Sequence, residues 1–166
     1  MIEAPVFVLD ANVFIEAHRH YYAFDLAPRF WEGLVQLAAN GQVESIDRIK
    51  QELDRGKDEL ATWATDHFGR AFASTDEDDV VDSYREIMTW AFVQVQFSDA
   101  AKADFAKAAD GWLVAYARAR RRVVVTHEAL KLDIKKKVPI PNVCEAFGVP
   151  YVNTFEMMRK LGLRWS

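Results

Sequence analysis

Apolar residues in this chain gather into short unbroken runs, and the stretches between them carry helical spacing. Val6 to Leu9 is one such run, and it suits a strand buried on both faces. Asn12 predicts an N-cap for a short helix from Val13, and "HRHYY" predicts its break. From Leu26 to Asn40, Phe30, Leu34 and Leu37 or Ala38 recur at helical spacing, and Gly41 closes the segment. "VESI" reads as a second strand, and "DRIKQEL" opens a helix for which Asp47 is a cap. Between Asp78 and about Gln96, Val80, Tyr84, Ile87, Met88, Ala91, Phe92 and Val95 keep a 3–4 spacing. A further helix is predicted from about Ala101 to Arg120, with Phe105, Ala109, Trp112 and Tyr116 on one stripe. Val123 to Thr126 gives a third strand. Pro139 and Pro141 bracket a turn before a short helix around Val143 to Phe147. "VPYVN" gives a fourth strand, and a last helix starts at Thr154. Short apolar strands alternating with helices predict an α/β sandwich: a central parallel sheet of four or five strands flanked by helices.

Composition sets bounds on this picture. The 166 residues contain no repeat and no Gly/Ser linker, so a single domain over residues 1–166 is expected. Hydrophobic content of 51% and charged content of 28% are those of a folded soluble protein. No apolar run approaches a membrane span, and "MIEAPVFVLD" lacks the basic start and cleavage pattern of a signal peptide. The single cysteine, Cys144, excludes an intrachain disulfide, reads as a small buried hydrophobe, and points to a cytoplasmic address.

A net charge of −4 argues against broad charge-driven binding to nucleic acid but leaves room for a local basic face. Two clusters could supply one: Arg118, Arg120, Arg121 and Arg122, and then Lys131, Lys135, Lys136 and Lys137. The acids of "TDEDD" are accounted for by a helix start, where the helix dipole favours them.

Chemistry enters through carboxylates in apolar settings. In open parallel sheets the working site lies beyond the carboxyl ends of the strands. Asp10 follows the first strand directly, and Glu128 follows the Val123 strand, so the two should approach one another. Glu52 lies on the helix after the second strand, and Asp110 sits among Ala108, Ala109, Gly111 and Trp112. Carboxylates gathered this way cannot all stay ionised without a cation. Magnesium or manganese, which take oxygen ligands and activate water at phosphoryl centres, suit the set.

The order and context of these acids resemble the PIN domain, whose bacterial members include the VapC-type toxins of toxin–antitoxin modules. The stretches that carry the resemblance are "VLDANVF", "IKQEL", "ADGWLVAYA", "VVVTHE" and "VPIPNVCEAFGVPYVNTFEMM", which together span nearly the whole chain. The resemblance implies a metal-dependent ribonuclease with a parallel sheet covered by helices. It assigns the catalytic acids to Asp10, Glu52, Asp110 and Glu128. The metal would rest on Asp10, Asp110 and Glu128, with Glu52 directly on it or just behind. Asn12 and Thr126 fall on the family's supporting polar positions. A small antitoxin partner and a homodimer are implied as well. Three features depart from the pattern. The fourth acid is Glu rather than Asp, His127 intervenes before it, and the helical insert between Glu52 and Asp110 is long for a minimal toxin.

The remaining polar and aromatic residues add expectations of their own. His127 should point near the site, as a proton shuttle or in a structural or RNA-contact role. Lys131, Lys135, Lys136 and Lys137 should rim the acids and meet an RNA backbone, whereas the arginine cluster should lie at the opposite edge. His18, His20 and His67 lack zinc spacing. Tyr21, Tyr22 and Phe24 could stack bases or form a groove for a partner helix, with Phe30 and Trp31 in the core. Two other readings compete with the nuclease. A catalytically weak PIN-like module would bind RNA or protein without cleaving. A haloacid dehalogenase-type phosphatase would need a second Asp two residues after the first, where this chain has Asn12.

Overall fold

The structure is a computed structural model, which describes residues 4–163 apart from the side chain of Tyr21. Its frame is a sheet of five parallel strands: β1 (Phe7–Leu9), β2 (Val43–Ile46), β3 (Phe72–Ala73), β4 (Val123–Val125) and β5 (Tyr151–Val152). They lie in the order β3-β2-β1-β4-β5, and every pairing is parallel. The register sets Phe7 beside both Val43 and Val123, and Leu9 beside Val125. β1 is central and wholly buried, as its unbroken apolar run requires.

Nine α-helices are present among the described residues. In chain order they are α1 (Ala11–Glu16), α2 (Pro28–Ala39), α3 (Asp47–Arg55), α4 (Glu59–His67), α5 (Asp78–Val93), α6 (Asp99–Lys107), α7 (Asp110–Arg120), α8 (Ile140–Phe147) and α9 (Thr154–Leu161). No helix among the described residues is long and apolar enough to cross a membrane.

Several boundaries differ from the sequence expectation. α1 begins at Ala11, with Asp10 in the N-cap position, so Asn12 lies in its first turn and does not cap it. "HRHYY" does not stop the chain. Residues Ala17–Tyr21 continue as a π-helical turn, closed by a bond from the Tyr22 N–H to the Ala17 carbonyl at 2.7 Å. Asp47 is the first residue of α3 rather than its cap, and its carboxylate accepts from the Arg48 N–H and from Thr75.

The largest departure is in the stretch from Ala101 to Arg120, which is two helices. Ser98 caps α6 by accepting from the Ala101 N–H at 3.1 Å. Ala108 then turns extended and α7 starts at Asp110. Gly111 allows the break to pack: a Cβ there would stand 3.1 Å from Phe105 and 3.2 Å from Tyr84.

Tyr22, Phe30 and Trp31 are buried. Phe24 packs against Trp31 and Trp63, and Trp31 donates its indole N–H to the Tyr22 carbonyl. Tyr22, Phe30 and Trp31 are therefore core, and Phe24 is half-buried against them. The side chain of Tyr21, also considered for stacking, lies outside the described residues.

Candidate functional site

The strand order reverses direction between β1 and β4, and at such a switch point the crevice opens past the carboxyl ends of the strands. Asp10 and Thr126 occupy that place. The Asp10 N–H bonds to the Val125 carbonyl at 2.9 Å, which ties the ends of β1 and β4 together. Asp10 makes no side-chain cap to α1. Its carboxylate instead accepts from the Thr126 hydroxyl at 2.9 Å. The same hydroxyl oxygen accepts the Glu128 N–H at 3.1 Å. One buried threonine thus fixes two acids relative to each other.

The other two acids arrive from helices. Asp110 opens α7, which explains a carboxylate that looked misplaced in the middle of an apolar helix: it stands in a first turn, where the helix dipole favours negative charge. Glu52, on α3, accepts from the Ala109 N–H at 3.1 Å, so it fixes the entry into α7 from across the site. Asp10 and Asp110 each feel the charges of Glu52 and Glu128, and Asp10 also feels that of Asp110. Asp10 is only 3% exposed, and burial, then the charges of Asp110 and Glu128, hold its carboxyl well above the usual carboxylate range. Burial, then the Glu128 charge, pushes Asp110 up to about 7 against the pull of Lys137. For Asp10 and Asp110, burial and repulsion from the neighbouring acids both disfavour the ionised form.

Glu128 has partners that its sequence neighbourhood does not reveal. Its Oε1 accepts from the Ile140 N–H at 3.0 Å, and its Oε2 lies 3.2 Å from Lys137 Nζ. Lys137 also lines a cleft of about 270 Å³ together with Asp110, Lys136, Phe105 and Val138. A larger hollow of about 730 Å³, bounded by Val35, Ala38, His67 and Arg70, involves none of the acids.

Among the described residues, no three His, Cys, Asp or Glu side chains already stand close enough together to hold a metal ion. The donor set nevertheless fits a hard divalent ion in kind: carboxylate oxygens, partly desolvated and mutually repelling, with one lysine to neutralise them.

The supporting residues divide. Thr126 is buried and its hydroxyl donates to Asp10. Asn12 is half-buried in the first turn of α1. His127 is engaged by α9: its Nε2 lies 3.0 Å from Thr154 Oγ1. Burial lowers its pKa, and the charge that opposes this is Glu16 rather than any of the four acids.

Lys131, Lys135 and Lys136 are exposed. Three of the four clustered arginines are in ion pairs, Arg118 with Glu86, Arg120 with Asp79, and Arg122 with Glu44, while Arg121 is exposed. Cys144 is fully buried and its thiol is pushed up to about 12, chiefly by burial.

Sequence reasoning missed Lys137 as a partner of Glu128, having placed it on a rim for RNA. The pairing depends on how the loop before α8 folds back, and no local pattern records that. The entry into α7 did leave a signal, the Asp-Gly pair at 110–111 inside a run of helix formers.

Over residues 7–165 the chain matches the family described as "Domain of unknown function (DUF4411)", and it belongs to that family. Its fold is PIN-like. A chain from the crystal structure of VapBC2 from Rickettsia felis, bound to a DNA fragment from the promoter, superposes with a TM-score of 0.53 at 15% identity. The alignment covers 89% of this chain and 98% of that one. A search of curated proteins by sequence gives no match.

Proposed function

We propose that the chain is a magnesium- or manganese-dependent endoribonuclease. The observation that carries this reading is the gathering of Asp10, Glu52, Asp110 and Glu128 at the switch point of the sheet, where the charges of Glu52 and Glu128 raise the cost of ionising Asp10 and Asp110. Asp10, Asp110 and Glu128 would hold the metal, with Glu52 beside them. When bound, a divalent ion supplies positive charge to a phosphoryl oxygen and acidifies water. The protein's own parts supply position. Thr126 aligns Asp10 with the backbone of Glu128. Glu52 fixes the turn that presents Asp110. Asn12, in the first turn of α1, would orient Asp10 or the attacking water. Lys136 and Lys137 line the cleft at Asp110, where the backbone of an RNA strand would lie, and Lys131 and Lys135 extend the charge outward.

The PIN-like fold, together with a structural neighbour crystallised as VapBC2 on promoter DNA, supports extending the reading to the toxin of a toxin–antitoxin pair. It would have a small antitoxin partner and would itself be a homodimer in the cytoplasm. A second reading, a catalytically weak PIN-like module that binds RNA or protein, draws on the absence among the described residues of three acids at ligating distance.

The test is to incubate the purified protein with mixed RNA in Mn²⁺, in Mg²⁺ and in chelator, beside an Asp10→Asn control. Cleavage that requires both the metal and Asp10 is expected. An Asp10→Asn protein as active as wild type would overturn the site assignment. A lack of cleavage with no thermal stabilisation by Mn²⁺ would favour the binding module.

A further inference from the structure

We propose that Lys137 is the resident counter-charge of the acidic site and sets its affinity for a divalent ion. The inference rests on the metal-site reading above.

Glu128 is clamped at both oxygens by one short stretch of loop. Ile140 at the start of α8 donates its N–H to Oε1 at 3.0 Å, and the Lys137 ammonium stands 3.2 Å from Oε2. The lysine side chain is 51% exposed and that of Glu128 only 13%, so the ammonium reaches the carboxylate from the solvent side. The same lysine lines the cleft with Asp110. Its neighbours in the basic run behave otherwise: Lys131, Lys135 and Lys136 make no ion pair among the described residues. Within the run, Lys137 is therefore the lysine paired with an acid of the site, while Lys136 lines the cleft without such a pair.

This arrangement sets up a competition. A divalent ion that takes Glu128 as a ligand must draw Oε2 away from Lys137, because the ammonium and the ion seek the same oxygen. The two cations then repel at close range. Lys137 thus weakens metal binding while it holds the acids together without metal. Once Glu128 is given up, the ammonium is left facing the cleft, free to meet a phosphodiester oxygen as a charge-assisted donor. Binding of metal and binding of a phosphodiester would favour one another through this exchange.

The experiment is calorimetric titration of Mn²⁺ into the full chain, as wild type, Lys137→Met, Lys137→Arg and Asp10→Asn, at one ionic strength. Circular dichroism on each protein checks folding, and Lys137→Gln stands in should Lys137→Met fail to fold. We expect Lys137→Met to bind Mn²⁺ roughly tenfold more tightly, the effect of one charge on a divalent ion about 6 Å away in a water-like dielectric. Lys137→Arg, which keeps the charge, should stay within about twofold of wild type on the same electrostatic ground. Without metal, Lys137→Met should melt at a lower temperature than wild type. Unchanged or weaker Mn²⁺ binding by Lys137→Met, with wild type binding in an Asp10-dependent way, would overturn the role of Lys137 and leave the metal site standing. No binding by either protein would overturn both.

Discussion

Replacing Asp110 by Asn should stabilise the metal-free protein while disabling it. Asp110 is pushed from its ordinary value of 3.8 up to about 7, by burial first and then by the charge of Glu128. A shift of roughly three pH units, at about 1.4 kcal/mol each, sets a ceiling of roughly 4 kcal/mol on what its ionisation costs the fold. Between pH 4 and 7 the folded state holds a proton that the unfolded state has released, so stability falls as pH rises across that window and is flat above it. Asparagine keeps the volume and removes the charge, but its amide still has to be desolvated, which leaves a gain of about 2 kcal/mol at pH 8. For a chain of this size that is roughly 4–8 °C in Tm. The gain should extend to Asp10, whose carboxyl is raised partly by Asp110.

Thermal melts of both proteins in chelator at pH 8 and at pH 5 provide the assay. The difference should be largest at pH 8 and shrink toward pH 5, where wild-type Asp110 is protonated. Adding Mn²⁺ at pH 8 should reverse the order, because only the wild type gains by mass action on its native state. An Asp110→Asn protein that melts at or below wild type at pH 8 in chelator would refute the electrostatic reasoning.

Two further substitutions probe the surroundings. Thr126→Val removes the hydroxyl that joins Asp10 to the Glu128 backbone. We expect a loss of about 1–3 kcal/mol in stability, read by urea unfolding, and a fall in RNA cleavage greater than that stability loss explains. Cys144→Ser should leave metal binding and cleavage unchanged, since the thiol is buried and pushed up to about 12; loss of either in a folded protein would contradict its structural role.

The sequence discloses the parts of this fold that depend on local pattern. β1 and β4 are uninterrupted apolar runs because both faces of a central parallel strand are covered, and their positions alone bring Asp10 and Glu128 to the same edge. β3 is two residues long and α4 mixes apolar and polar residues without a clear stripe, so neither stands out as an individual element. The break before Asp110 is marked in the sequence only by the Asp-Gly pair at 110–111, among alanines that are good helix formers. It is held open by Glu52, whose bond to the Ala109 N–H spans 57 residues of sequence. Composition by itself could not show that Lys137 pairs with Glu128 while Lys131, Lys135 and Lys136 make no ion pair among the described residues. That choice is made by the loop that also brings the Ile140 N–H to Glu128.

The most direct test of the central claim, that these acids form a divalent-metal site, is anomalous diffraction from crystals grown or soaked with Mn²⁺. We expect a manganese peak bounded by Asp10, Asp110 and Glu128 that is lost in the Asp10→Asn protein. A well-occupied peak elsewhere, or none in crystals where the site is open to solvent, would contradict it.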